Sequence, residues 1–179
     1  MVRVRFAPSP TGLLHIGNAR MAVFNWLFAK RLQGTFILRI EDTDVARSEK
    51  KYMVQLIEDL HWLGITWQEG PDVGGQYGPY LQSERLHIYN DLCQKFLKEG
   101  MAYRCYCTPE ELEERRRIAK HVGKPPRYDN RCRELTDKQI RAFETSGLRN
   151  TIRFKVPDEL VVFDDLIRGT CQFDMSLTG

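Results

Sequence analysis

A turn rich in proline and glycine separates two regular elements near the start of the chain. Residues 2–6 alternate apolar and charged side chains, a pattern that predicts a β-strand. Pro8, Pro10 and Gly12 then interrupt regular structure. From residue 16 to residue 32 the apolar side chains recur with helical spacing. The stretch is therefore predicted to fold as a strand, a turn and a helix, and the start of such a helix is a natural site for phosphate.

A second predicted strand follows this helix, which ends at Gly34. Residues 36–40 are almost continuously apolar, as in a strand of a parallel sheet that is covered on both faces. Ligands of such sheets bind beyond the carboxyl ends of the strands. Both ends are polar here, because the first strand leads through Arg5 to Ser9 and the second leads into residues 41–44. We therefore predict an α/β fold with a ligand site at this edge.

The pattern changes near residue 101. Before it, a helix is predicted after Ser48, which can cap it, and the chain keeps its α/β character. After it, two charged helices and alternating strands over residues 149–174 predict a mixed α+β segment. The two helices have capping boxes, at Thr108–Glu111 and Thr136–Gln139. We therefore expect two domains, residues 1–100 and 101–179. The aromatic residues at positions 24, 26, 28, 62 and 67 are predicted to lie in the core.

Composition limits the class of protein. A net charge of +3 permits an acidic partner but lies far below that of a nucleic-acid coat protein. No run approaches the roughly 20 apolar residues that cross a bilayer, and no apolar run follows the first residues as in a signal peptide. The five cysteines are an odd number, which favours free thiols or a metal site in a reducing compartment over disulfides. These features predict a cytoplasmic protein with no membrane partner.

Three of the cysteines have the spacing of a metal site. Cys105 and Cys107 alternate along a predicted strand over residues 102–107, and 24 residues separate Cys107 from Cys132. Three thiolates can supply most of a tetrahedral zinc site. The alternative is three unligated thiols in a small core.

Several motifs agree in order and spacing. The glycine-lysine phosphate loop and the Gly-x-Gly-x-x-Gly fingerprint are both missing from the sequence. Instead it contains Arg5-Phe-Ala-Pro-Ser-Pro-Thr-Gly-x-x-His-Ile-Gly, then Arg39-Ile-Glu-Asp-Thr-Asp-x-x-Arg, then the loops 62–75 and 78–85. Over essentially its whole length the chain resembles the class I aminoacyl-tRNA synthetases, and among them the bacterial-type glutamyl-tRNA synthetases.

The resemblance implies a fold and an activity. The fold would be the first half of a Rossmann-like parallel sheet, followed by an inserted α+β domain (the connective peptide) that contacts the tRNA acceptor stem. The activity would be ligation of L-glutamate to tRNA(Glu) through glutamyl adenylate, with ATP and Mg²⁺, by a monomer. In this family the basic run at residues 115–117 lies in the inserted domain, so phosphate contact is an alternative to an ordinary solvated helix face.

The resemblance also implies residue roles. Arg5 would pair with a carboxylate of the substrate glutamate, Ala7 and Ser9 would complete the pocket, and Glu41 would bind the ammonium group. Without the motif, Glu41 would be read as part of a solvated turn. The residues that would lie along ATP are Thr11, Gly12, His15 and Gly17, and His15 and Gly17 would be catalytic. Asp44 and Arg47 would lie near the terminal adenosine of tRNA.

A zinc-bearing subset of the family shares the cysteine spacing. Its fourth ligand lies two residues after the third cysteine, where this chain has Glu134. Tyr128, four residues before Cys132, corresponds to the ligand of a related short paralogue. Both remain candidates for the fourth ligand.

The second half of the sheet and a Lys-Met-Ser-Lys-Ser-like loop do not occur in these 179 residues. We therefore expect an incomplete part of the enzyme that is inactive alone. Two alternatives stay open. One is the paralogue that glutamylates queuosine in tRNA(Asp), and the other is a tRNA-binding module without catalysis.

Overall fold

The computed structural model describes residues 1–44, 46–123 and 125–177. The chain forms two compact units, Met1–Asn90 and Asp91–Gly179. This division lies earlier in the chain than the predicted boundary at residue 101, and the roles of the two predicted domains stay predictions. The elements of the first unit are β1 (Arg3–Phe6), α1 (Ile16–Arg31), β2 (Thr35–Leu38), α2 (Lys50–Trp62), a 3-10 helix (Gln82–Arg85) and α3 (Leu86–Lys98). Helix α3 continues into the second unit.

The first unit is built on the predicted parallel pair. β1 pairs with β2 in parallel, with Val4 opposite Phe36 and Phe6 opposite Leu38. This confirms the βαβ unit and the α/β fold class. Successive side chains of a strand point to opposite faces. One face is therefore apolar and packs into the core, while the other carries Arg3 and Arg5.

Helix α1 packs through small side chains. Ala19, Ala22 and Ala29 are its buried residues. Phe24 lies two positions after Ala22, which is about 200° around a helix, and its side chain is 63% exposed. Its predicted core position was therefore wrong.

The other four aromatic residues predicted to lie in the core differ in how far they are buried. Trp67 is buried, which confirms its predicted place, and Trp26 and Phe28 are half-buried. Trp62 is 85% exposed, because it lies two positions after the buried Leu60 of α2 and faces away from the core. Its predicted core position was wrong.

The start of α2 also differs from the prediction. Glu49 is the N-cap residue, and no side chain caps the helix. Ser48 instead belongs to the preceding turn, where its N–H donates to the Asp44 carbonyl at 2.8 Å. Its hydroxyl is buried without a partner among the described residues, so the predicted cap was wrong.

The second unit is mixed α+β, as predicted. Its elements are β3 (Ala102–Cys105), α4 (Pro109–His121), α5 (Asp137–Thr145), β4 (Thr151–Phe154), β5 (Leu160–Asp165), β6 (Gly169–Asp174) and a 3-10 helix (Met175–Leu177). β3 pairs antiparallel with β4, and β5 pairs antiparallel with β6. Both capping boxes form, at the starts of α4 and α5. The strand predicted over residues 102–107 ends at Cys105.

Among the helices in the described part of the chain, none has the length and apolar character that a bilayer crossing requires.

Candidate active site and metal centre

The carboxyl ends of β1 and β2 form one polar edge. Backbone hydrogen bonds continue the pairing past the strands, since the Arg39 N–H donates to the Phe6 carbonyl at 3.0 Å and the Glu41 N–H donates to the Pro8 carbonyl at 2.9 Å. The alternation of side chains then places Arg5, Ala7 and Glu41 on the same face of the sheet. Three of the four residues predicted to bind glutamate are thus brought to one face, and Ser9 lies exposed in the turn beyond it.

Arg39 is a residue of this edge that sequence reasoning missed. Its Nη2 lies 3.6 Å from Glu41 Oε1, and its side chain is 18% exposed. Its Nε is buried without a partner among the described residues. The signal was available, because Arg39 lies two positions before Glu41 and must share its face of the sheet.

The start of α1 carries the residues predicted to lie along ATP. His15 is the N-cap residue, and its Nδ1 accepts a hydrogen bond from the Gly17 N–H at 3.2 Å. A Cβ built on Gly17 would lie 2.9 Å from His15 Cε1, so glycine lets the imidazole fold over the helix start. Thr11 and Gly12 are exposed in the turn before it, and a Cβ on Gly12 would touch nothing within 4 Å. The predicted residues therefore surround an open helix N-terminus, where an anion is favoured.

Asp44 and Arg47, predicted near the tRNA end, pair with each other. Arg47 Nε donates to Asp44 Oδ2 at 2.6 Å. This hydrogen bond holds the pKa of the Asp44 carboxyl below its ordinary value. Val45, between them, lies outside the described residues.

A buried carboxylate anchors the loop beside β2. Glu69 accepts hydrogen bonds from Arg3 Nη1 and Nη2 at 2.7 and 2.8 Å, and from the Tyr80 hydroxyl. The hydrogen bond from Arg3, followed by that from Tyr80, lowers the pKa of Glu69 against the effect of burial. The backbone carbonyls of Glu69 and Tyr80 accept from the N–H groups of Leu38 and Ile40. This network therefore flanks the strand that leads to Glu41.

The three predicted cysteine ligands converge in the second unit. The sulfur atoms of Cys105, Cys107 and Cys132 all lie within 4.8 Å of one another. Cys107 Sγ and Cys132 Sγ are 3.7 Å apart. Cys105 and Cys132 are buried, and Cys107 is half-buried. Cys105 comes from the end of β3, while Cys132 comes from the loop between α4 and α5.

The two candidates for the fourth ligand lie in different places. The Tyr128 hydroxyl is 3.2 Å from Cys105 Sγ and 3.6 Å from Cys107 Sγ. It also accepts a hydrogen bond from the Cys132 N–H at 3.2 Å. The Glu134 side chain is 85% exposed and lies 4.0 Å from Arg133 Nε. The structure therefore brings Tyr128, and not Glu134, to the three thiols. Three soft sulfur donors and one oxygen fit the coordination preference of Zn²⁺.

The pKa values of two of the thiols, Cys105 and Cys107, are shifted in opposite directions. Burial raises the pKa of Cys105, but the neighbouring Tyr128 hydroxyl and Arg153 guanidinium outweigh it and lower the pKa to about 7. Burial raises the pKa of Cys107 to about 11, with a further contribution from the neighbouring thiols, although Tyr128 opposes the shift. Cysteine binds a metal as its thiolate, and of these two thiols Cys105 has the lower pKa.

Arg153 is the second residue that sequence reasoning missed. It lies on β4 opposite Tyr103, and its Cζ is 4.0 Å from the centroid of the Tyr128 ring. A basic residue between the apolar Ile152 and Phe154 of a predicted strand was the available signal.

The basic run of α4 is an ion-paired surface. Arg115 pairs with Asp129. Arg116 pairs with Glu113 at 3.4 Å, and Arg117 pairs with Glu114 at 2.7 Å. All three guanidinium groups thus have carboxylate partners, which favours the solvated-face interpretation over phosphate contact.

A family model described as "tRNA synthetases class I (E and Q), catalytic domain" matches residues 1–178. The chain belongs to this family. Among curated members it is 58% identical over 179 residues to the glutamate–tRNA ligase of Sulfurihydrogenibium sp. (strain YO3AOP1), covering 100% of this chain and 37% of that protein. It is 53% identical over 168 residues to the glutamate–tRNA ligase of Streptomyces coelicolor, covering 94% of this chain and 34% of that protein.

The solved structures of this synthetase family agree with the fold. A glutamate tRNA ligase from Elizabethkingia meningosepticum CCUG26117, crystallised in complex with its amino acid, superposes with a TM-score of 0.87 at 40% identity. The match covers 98% of this chain and 36% of that one. The chain therefore spans little more than a third of the length of these relatives.

Proposed function

We propose that this chain supplies the glutamate pocket and part of the ATP site of a glutamate–tRNA ligase, a class I synthetase that acts as a cytoplasmic monomer. The complete enzyme would join the glutamate carboxylate to the α-phosphate of ATP, releasing pyrophosphate. It would then pass the glutamyl group to a hydroxyl of the 3′-terminal ribose of tRNA(Glu), releasing AMP. The observation that carries this proposal is the shared face of Arg5, Ala7 and Glu41 at the exits of a parallel strand pair. Relatives 53% and 58% identical to the chain bear this enzyme's name.

Glutamate carries two carboxylates and one ammonium group, and the edge of the sheet offers matching charges. Arg5 would pair with a carboxylate, Glu41 would accept from the ammonium group, and Ala7 and Ser9 would close the pocket. Arg39, whose guanidinium lies near Glu41, would hold the Glu41 carboxylate in place.

ATP would lie along the start of α1. Thr11, Gly12, His15 and Gly17 line this stretch, and Mg²⁺ would be held mainly by phosphate and water oxygens. Neither step needs a protein nucleophile, so catalysis rests on positioning and on stabilising the charge that develops on the phosphate. Asp44 and Arg47 would face the terminal adenosine of tRNA.

Zn²⁺ would be held by Cys105, Cys107 and Cys132, with Tyr128 as the fourth ligand. Bound there, it would supply structural crosslinking, because a closed tetrahedral site ties the end of β3 to the loop around residues 128–132. Glu134, the other candidate, is directed to solvent.

A chimera tests the activity. This chain replaces the matching segment of the Sulfurihydrogenibium enzyme, and glutamylation of tRNA(Glu) is measured. We expect an active chimera, and we expect Arg5→Ala to lower kcat/KM for glutamate by about 100-fold, the loss of one charge-assisted contact. Arg31→Ala, at the exposed end of α1, is the matched control and should stay within about twofold.

The outcomes separate the alternatives. Glutamylation of tRNA(Asp) but not tRNA(Glu) would favour the queuosine paralogue, and tRNA binding without adenylate formation would favour the non-catalytic module. For the chain alone we expect no tRNA-dependent exchange of pyrophosphate into ATP. Measurable exchange would contradict the proposal that the chain holds only part of the site.

Metal analysis tests the zinc site. We expect about one zinc per chain in the purified protein, and loss of zinc in Cys105→Ala. Cys93→Ala, a half-buried cysteine outside the cluster, should retain the metal. A wild-type chain that binds no zinc would remove this part of the proposal.

A further inference from the structure

Arg153 lies against the cysteine cluster from the side of β4. β3 and β4 are paired so that Arg153 stands opposite Tyr103 and Thr151 stands opposite Cys105. Arg153 therefore occupies the same sheet face as Cys105, two pairs away along the ladder. Its guanidinium lies beside the Cys105 sulfur and stacks over the Tyr128 ring, with Cζ 4.0 Å from the ring centroid.

The proposed metal centre carries a net negative charge, which a nearby cation would stabilise. Zn²⁺ with three thiolates has a net charge of −1, and a phenolate as fourth ligand makes it −2. Two of the three sulfur ligands are buried, and a charge removed from water is costly unless an opposite charge compensates it. A cation within a few ångströms of the thiolates lowers this cost.

We infer that Arg153 is a positioning residue of the metal centre, which compensates the negative charge of the zinc-bound thiolates through its contact with Cys105 and fixes the Tyr128 ring by stacking on it. This inference rests on the zinc site proposed above. It adds a residue that is not itself a ligand and that comes from a different strand.

A cavity of about 600 Å³ next to Arg153 is lined by charged side chains of both signs, Arg127, Arg133, Arg153, Asp129 and Asp158. Asp129 pairs with Arg115, and the other two arginines of the cavity donate to backbone carbonyls, Arg127 to that of Ser176 and Arg133 to that of Val156 at 3.4 Å. Arg153 Nε, by contrast, is buried with no hydrogen-bond partner among the described residues, and the guanidinium stacks over the Tyr128 ring.

Chelator competition on the purified chain measures the effect. Arg153→Met keeps an unbranched, flexible stem and removes the charge, and we expect zinc to bind about 10 to 100 times more weakly. Arg153→Lys keeps the charge and should recover at least half of that loss on a logarithmic scale. Arg133→Met removes a second arginine of the same cavity and should change the affinity by less than about threefold.

A second readout separates an electrostatic role from a structural one. With Co²⁺ in place of Zn²⁺, the thiolate-to-metal charge-transfer band of Arg153→Met should shift, because the field at Cys105 changes, while that of Arg133→Met should stay in place. An Arg153→Met protein with wild-type zinc affinity and an unshifted band would overturn the inference. So would an Arg153→Lys protein as weak as Arg153→Met. If the wild-type chain itself takes up no metal, the proposed zinc site fails first.

Discussion

Glu69 shows how a single buried side chain can hold a loop in place. It is only 8% exposed, yet its two carboxylate oxygens are satisfied by Arg3 and Tyr80. Arg3 also stacks over the Tyr77 ring, with Cζ 4.7 Å from its centroid. A buried carboxylate without these donors would carry a large desolvation cost. The loop over residues 69–80 is therefore tied to β1 by the Arg3–Glu69 ion pair and to the strand β2 and its continuation by backbone hydrogen bonds.

Replacing Glu69 by Gln should destabilise the fold and change its acid response. The neutral amide keeps the shape but loses the charge-assisted bonds, and we expect a loss of about 1–2 kcal/mol at neutral pH. Because the folded-state pKa of Glu69 lies below its ordinary value of 4.5, its contribution is complete above that pH and disappears as the pH falls through the folded pKa. Urea unfolding between pH 3 and about pH 6 measures both effects.

Glu58→Gln provides the comparison for this variant. Glu58 is an exposed residue of α2, so its replacement should change the free energy of unfolding by at most about 0.5 kcal/mol. If Glu69→Gln unfolds at the same urea concentration as Glu58→Gln at neutral pH, the Arg3–Glu69 pair makes no net contribution.

Residue positions that follow from local periodicity could be predicted, and those that depend on distant partners could not. The predicted parallel strand pair brought the carboxyl ends of both strands, and with them Arg5 and Glu41, to one edge, whereas the roles of these two residues came from the family resemblance. Glu69 pairs with a residue 66 positions away, and nothing in its own neighbourhood indicates that. Arg153 meets Cys105 only because β4 pairs with β3, a pairing that the sequence leaves open.

At the scale of elements, the capping box of α5 is a local device with a measurable contribution. The Thr136 hydroxyl accepts from the Gln139 N–H, and the Gln139 side chain accepts from the Thr136 N–H at 2.9 Å. α5 is a short helix, Asp137–Thr145, and a helix of this length has little stability of its own. Its first turn therefore depends on these two bonds.

Thr136→Ala should lower the free energy of unfolding by about 1 kcal/mol, because it leaves one donor of the helix start unpaired. Thr136→Ser keeps the hydroxyl and should lose less than about half of that amount. Circular dichroism during thermal unfolding measures both variants. Equal losses for Ala and Ser would mean that the threonine methyl group, and not the cap, is what matters.

Most helices and strands could be predicted because their signals lie within the element. The capping boxes predicted the starts of α4 and α5. The predicted glycine stop of α1 at Gly34 was wrong, because Gln33, and not Gly34, takes the left-handed conformation after the helix. Ser48 misled because a serine before a helix can equally well belong to a turn, and here Asp44 holds its N–H. The buried face of α1 misled for another reason, since the helix packs on the sheet through alanines, whose weak hydrophobicity hides the contact surface.

At the scale of the molecule, the metal should support one of the two compact units. All proposed ligands lie in Asp91–Gly179, and metal binding contributes directly to the folding of small sites of this kind. We expect chelation to speed amide hydrogen exchange in β3 and around residues 128–132, and to leave β1 and β2 unchanged. Mass spectrometry of the exchanged protein, with and without chelator, gives the measurement.

The Cys105→Ala protein is the reference for chelation. It should already exchange rapidly in those segments and should not respond further to the chelator. A uniform increase over the whole wild-type chain would argue against a local role of the metal.

The two faces of the β1–β2 pair also affect how the residues of the proposed pocket can evolve. Positions that face the core and positions proposed to face the ligand alternate along β1 and β2. A library that varies only residues 5, 7, 39 and 41 would therefore sample new ligand preferences without first having to repair the core. Adaptation of the pocket and preservation of the scaffold can proceed as separate evolutionary problems.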